Sequence, residues 1–159
     1  MALMTDKKLI ERIKPLKARI GIIGVGHYTY WEQFEGLLDE IHAKLIVFEK
    51  MVIANQVETV NFGLSDCAET ASKIVPEIQG SNIDLLFIDM LTYATSSSIA
   101  AIFREIHVPM VLVALQPSKG LDYNRSSKHE ELINDDICAV PEFMKVAIRF
   151  GRPVPDGVI

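Results

Sequence analysis

Apolar residues return every three or four positions from about Glu32 to Asn55, where Phe34, Leu37, Leu38, Ile41, Leu45, Phe48 and Val52 form a stripe. Glu35, Asp39, Glu40, Lys44 and Lys50 mostly occupy the other faces, so this stretch predicts an amphipathic helix. A shorter opening helix, capped by Thr5, carries Leu9, Ile10, Ile13 and Leu16 and ends or kinks at Pro15. Between the two, Arg19 to Val25 reads Arg-Ile-Gly-Ile-Ile-Gly-Val, a glycine-bounded apolar run that suits a strand buried on both faces. Val57 to Phe62 predicts a second strand, followed by a Gly63-Leu64-Ser65 turn and a capping box of Asp66 with Glu69. The helix it opens runs to about Gln79 and is weakened by Pro76.

Ile83 to Asp89 and Pro109 to Leu115 are further strand candidates, separated by a helix whose buried stripe is Ile99, Ile102, Phe103 and Ile106. Strands without polar alternation need helices on both faces, joined by right-handed crossovers. The order β-α-β-α-β-α-β thus predicts an α/β fold: a three-layer, doubly wound, flavodoxin-like parallel sheet of four or five strands. Beyond it, Gln116 to Lys128 reads as a loop, and Glu130 to Asp135 and Pro141 to Phe150 as short helices.

Composition narrows the function. The 159 residues are 49% hydrophobic and carry a net charge of −5, which suits one compact domain and, with no basic run, argues against nucleic acid. No apolar stretch nears the roughly 20 residues of a membrane helix and no leader pattern opens the chain, so the expectation is a cytoplasmic protein. Cys67 and Cys138 are read as unpaired thiols. A mean hydropathy of +0.22 is high for a small acidic domain and leaves apolar surface for another domain or subunit. The end, Gly-Arg-Pro-Val-Pro-Asp-Gly-Val-Ile, reads as a linker cut short. The expected organisation is an α/β domain over 1–150, with 151–159 the start of a linker to a missing domain.

In such a sheet, ligands sit where the strands' carboxyl ends meet helix N-termini. The selected segments are Gly24 to Trp31, Asn61 to Asp66, Asp89 to Ser98 and Gln116 to Tyr123. Gly24-Val25-Gly26 lacks the third glycine of a dinucleotide site, because Thr29 stands there, and no acidic residue ends the second strand. The same loop gathers His27, Tyr28, Tyr30, Trp31 and Gln33, and flat rings beside hydrogen-bonding groups suit a sugar or other polyol. The plainer alternative has Trp31 and Phe34 stapling the next helix to the sheet.

Thr92 to Ser98 can offer hydroxyls and free helix N–H groups, though ordinary capping accounts for some of them. Asp89, at a buried strand end, must be paired, hydrated or protonated. The amide of Gln116 can both donate and accept. His42 and His107 read as structural, and His129-Glu130-Glu131 with Asp135-Asp136 as a solvated acidic face. No zinc-protease, phosphate-loop or serine-elbow motif occurs.

The strings Gly-His-Tyr-Thr-Tyr-Trp-Glu-Gln-Phe-Glu-Gly-Leu (26–37), Val-Asn-Phe-Gly-Leu-Ser-Asp-Cys-Ala-Glu (60–69), Thr-Tyr-Ala-Thr-Ser-Ser (92–97), Leu-Gln-Pro (115–117), Leu-Asp-Tyr (121–123) and Val-Pro-Glu (140–142) resemble the N-terminal domain of L-arabinose/L-fucose isomerase-like proteins. The resemblance spans most of 19–150. It implies a multidomain aldose–ketose isomerase using manganese or another divalent metal, held by Glu and His residues of later domains. The N-terminal domain would bind no metal itself. It would help close the pocket over a pentose or deoxyhexose, typically against a neighbouring subunit of a homo-oligomer.

By match to the family's loops, His27, Tyr28, Trp31, Gln33, Thr92, Tyr93 and Gln116 would face the sugar. The expected protein is catalytically incomplete alone and partnered by C-terminal catalytic domains. The alternatives are a stand-alone sugar-binding or regulatory module and a purely structural subunit-contact domain.

Overall fold

The computed structural model describes residues 17–152; the expected opening helix around Thr5 to Leu16 and the Pro/Gly ending from Pro153 lie outside them. Four parallel strands, β1 (Arg19–Val25), β2 (Glu58–Ser65), β3 (Leu85–Met90) and β4 (Met110–Val113), form one sheet in the order β2-β1-β3-β4. The helices are α1 (Leu37–Ile53), α2 (Ala68–Gly80), α3 (Ala100–Glu105), α4 (Lys128–Ile133) and α5 (Val140–Arg149). The α/β, flavodoxin-like, three-layer expectation holds, with four strands.

Alternate side chains of each strand divide the core. Ile23, Val25, Leu86, Ile88, Met90 and Leu112 face Ile74, Val75 and Ile78 of α2, Ile102 and Phe103 of α3, and Phe143 of α5. On the opposite side Ile20, Ile22, Leu91 and Val113 meet Leu37, Ile41, Leu45, Phe48 and Val52 of α1, with Leu132 and Ile133 of α4 at the margin. Central β1 is buried along nearly its whole length, which is why its sequence shows no polar alternation. Gly24 is a close-approach residue, because a Cβ there would come within 2.5 Å of Leu91 Cδ1. That packing, rather than a phosphate turn, accounts for the first glycine of the Gly-Val-Gly string.

Three local expectations change. Helix α1 starts at Leu37, not near Glu32, because a single 3-10 turn (Tyr28–Tyr30) and a bend ending at Gly36, with φ of 80°, come first. Helix α2 runs on past Pro76 as expected, but its capping box is made by Cys67 and Thr70, not by Asp66 and Glu69. The third change concerns Gly63-Leu64-Ser65, which is no turn but the end of β2.

Pairing of β2 with β1 skips a residue between Ile22 and Gly24, so Gly63, with φ of 75°, is the extra residue of a bulge. The bulge reverses the facing of the strand beyond it: Phe62 packs with α2 and α3, whereas Leu64 packs on the α1 side. Ser65 then reaches Ser98, whose carbonyl accepts its hydroxyl at 2.5 Å. Gly63→Ala should cost ~1–2 kcal/mol, since an L side chain strains a left-handed backbone. Urea unfolding would register this as a lower midpoint with unchanged slope.

Candidate functional site

After β1 the chain crosses the carboxyl edge of the sheet at Gly26-His27, where the His27 backbone is extended before the 3-10 turn. Its ring meets Tyr28 (centroids 5.5 Å), Tyr30 (5.2 Å) and Tyr93 (6.1 Å), each edge to face, a favoured aromatic arrangement. Tyr93 follows β3, so the loops after two adjacent strands converge on one aromatic corner. Trp31 closes its floor: a Cβ on Gly26 would lie 2.9 Å from the indole and 3.5 Å from Thr92 Cγ2. The indole N–H donates to Asp66 Oδ2 at 2.7 Å, and the other Asp66 oxygen accepts from Thr70 Oγ1 at 3.0 Å. Released by the bulge from its expected capping role, Asp66 thus fixes the orientation of Trp31. Two buried polar atoms at this corner have no hydrogen-bond partner, His27 Nδ1 and Thr92 Oγ1.

Of the residues expected to face a sugar, His27, Tyr28, Trp31, Thr92 and Tyr93 are brought together by these contacts. Tyr28 is 55% exposed and Thr92 fully buried. Gln33 is exposed and donates back to the Thr29 carbonyl at 2.7 Å. Gln116, also exposed, donates to the Asn134 carbonyl at 2.6 Å, which ties the loop after β4 to the segment after α4.

The serine-rich stretch is largely spent on the fold. Ser98 Oγ donates to the Gly26 carbonyl at 3.3 Å, the Thr95 and Ser97 hydroxyls pair at 2.7 Å, and the Ser96 N–H donates to Glu142 at 2.7 Å. Those Ser96 bonds hold the Glu142 carboxyl below its ordinary range. Protein groups therefore take up most of what the stretch was expected to offer a ligand.

Asp135 and Asp136, expected as part of a solvated acidic face, instead belong to a segment, Asn134 to Cys138, that folds onto this edge. Asp136 is fully buried, and Lys44 of α1 donates to its Oδ1 at 2.5 Å, to the Leu91 carbonyl at 2.7 Å and to the Ile133 carbonyl at 2.9 Å. Burial outweighs the nearby ammonium and raises the Asp136 carboxyl to about 6, so at neutral pH it is the ionised partner of Lys44. Desolvation, followed by Tyr93, Asp135 and Cys138, raises the Tyr30 hydroxyl, placing that segment beside the aromatic corner. His129 of the same expected face meets Glu40 of α1 at 3.0 Å. No local signal marks Lys44 and Asp136 as partners, because 92 residues separate them.

Asp89 is 3% exposed, on the strand face it shares with Phe87 and Leu91. Burial lifts its carboxyl to about 7, against an opposing pull from Lys44 and a reinforcing push from Asp136. Among the described residues no three His, Cys, Asp or Glu side chains gather as a metal set, and no helix is long and apolar enough to cross a membrane. No protein-family model and no curated protein matches the chain.

The Asp89 carboxyl has a pH signature. In the folded chain it stays protonated up to about pH 7, whereas unfolded it ionises near pH ~4. Between those values folding retains a proton, so this residue's contribution to stability falls as pH rises and levels off above about pH 7. Asp89→Asn should remove that fall. The variant is expected to match the wild type near pH 4 and exceed it by ~1–4 kcal/mol near pH 8, read as the difference between paired urea melts. Equal pH profiles for the two proteins would contradict this.

Proposed function

We propose that the aromatic corner is one wall of a sugar pocket, and that this chain is the N-terminal domain of a cytoplasmic, metal-dependent aldose–ketose isomerase resembling the L-arabinose/L-fucose isomerases. One observation carries the proposal. The rings of His27, Tyr28 and Tyr93 meet edge to face beside Trp31, with Tyr28 55% exposed at the carboxyl edge of the sheet. A pentose or deoxyhexose suits such a surface: its C–H faces lie against aromatic rings while its hydroxyls hydrogen-bond to the ring polar groups.

In that role Tyr28, Tyr93 and the part-exposed His27 flank the sugar, buried Thr92 supports them from beneath, and the bond from Trp31 to Asp66 fixes the floor. The resemblance places no metal ligand in this domain, so this chain's part would be binding, orientation and exclusion of water. The divalent ion, manganese or another, which polarises the carbonyl and hydroxyl oxygens during isomerisation, would be held by Glu and His residues of C-terminal domains. A neighbouring subunit of a homo-oligomer would complete the enclosure.

Trp31 is the single tryptophan of the sequence, so its fluorescence reports on the floor directly. Titration with L-arabinose and L-fucose should give a saturable change, and Tyr28→Ala, at a position 55% exposed, should weaken it by about fivefold or more, the loss of one ring against the sugar's C–H face. The chain incubated with manganese and either sugar should yield no ketose. An absent sugar response would make the corner a subunit-contact face, and turnover by the chain alone would refute its catalytic incompleteness.

A further inference from the structure

A cavity opens on the α1 side of the sheet, between α1 and the end of β4. It measures about 470 Å³, within the range of small-molecule sites. Its walls are apolar, formed by Val47, Phe48, Met51, Leu91 and Leu115, with Val47 and Met51 more than half exposed at its mouth. Asp89 lies within it, 3% exposed, and no hydrogen bond among the described residues involves its carboxyl. An apolar side chain would pack there at no electrostatic cost, as Phe87 and Leu91 do on the same strand face. A carboxyl in that position is an acceptor without a donor.

The charges facing Asp89 set the sign of what can enter. Lys44 and Glu40 come from α1, and Asp136 from the segment after α4. The strand neighbours in register, Gly24 and Val113, carry none. Lys44 spends its three donors on Leu91, Ile133 and Asp136 and is neutralised by Asp136. Glu40, which meets His129, and Asp89 remain along the wall, so the cavity disfavours anions and has no free donor for them.

We propose that this cavity binds a small, largely apolar molecule bearing one primary ammonium group, which donates to the Asp89 carboxylate while its hydrocarbon body lies against Phe48, Met51 and Leu115. The site is separate from the aromatic corner and does not rest on the sugar proposal. Because the bound ammonium requires an ionised Asp89, binding releases a proton wherever the free carboxyl still holds one.

Calorimetric titration of the full 159-residue chain with phenethylamine tests this, with 2-phenylethanol and 3-phenylpropionate as neutral and anionic probes of similar size. Phenethylamine should bind saturably, about tenfold more tightly near pH 8 than near pH 6. The alcohol should bind more weakly without that pH dependence, and the acid should not bind. Asp89→Asn should weaken the amine at least tenfold and abolish the pH dependence. Met51→Trp, at an exposed position, should also weaken it by filling the mouth while leaving Asp89 in place. No saturable phenethylamine binding at millimolar concentration would overturn the proposal. So would equal affinities for amine and alcohol, or an affinity unchanged by both substitutions.

Discussion

A single ammonium group joins parts of the chain that the sheet does not. Lys44 Nζ, mostly buried, bonds α1 to the end of β3 at Leu91, to the end of α4 at Ile133 and to Asp136. Each partner needs the others: Asp136 is fully enclosed and would be an unpaired buried carboxylate without Lys44, and both carbonyls would lose a charged donor. Breaking such a buried pair from one side typically costs ~3–5 kcal/mol. Short helix α4 has few apolar contacts of its own, since only Leu132 and Ile133 reach the core margin. The ammonium therefore holds the return of the chain over the sheet edge and determines what stands beside Tyr30, Tyr93 and the cavity above Asp89.

The aromatic corner depends on a smaller set of constraints acting in sequence. A residue added to β2 at Gly63 puts Phe62 and Leu64 on opposite faces of the sheet and so reverses the facing of Ser65. Ser65 secures Ser98, and Ser98 reaches Gly26, so the loops after β1, β2 and β3 are tied together beneath the corner. Asp66, just beyond the bulge, anchors Trp31, and Gly26 leaves room for the indole. The site is built on strand ends and short bonded loops, which suits preorganisation of a binding wall.

The layered fold was legible because its cause is local. Apolar runs without alternation require cover on both faces, and Phe34 to Val52 or Ile99 to Ile106 keep a helical period that only a core-facing helix needs. The convergence of the loops after β1 and β3 followed from topology alone, which is why His27, Thr92 and Tyr93 could be placed together in advance. What escaped was decided across the chain. The Gly63 bulge depends on pairing with β1, and the transfer of Asp66 from cap to indole partner depends on where that bulge leaves it. Asp136 reads as a surface acid until Lys44 of a distant helix comes into view. Gln33 and Gln116 had the right chemistry for a ligand, yet their nearest acceptors are backbone carbonyls of neighbouring turns.

The role of Lys44 is open to direct measurement by hydrogen exchange on Lys44→Met, which keeps the length and apolar stem of the side chain and removes its charge. Amides from Ile133 to Ala139 should lose most of their protection, with β1 and β3 retaining theirs. Unchanged protection across 133–139 in a folded variant would contradict the account, because the segment would then be held over the sheet edge by packing alone.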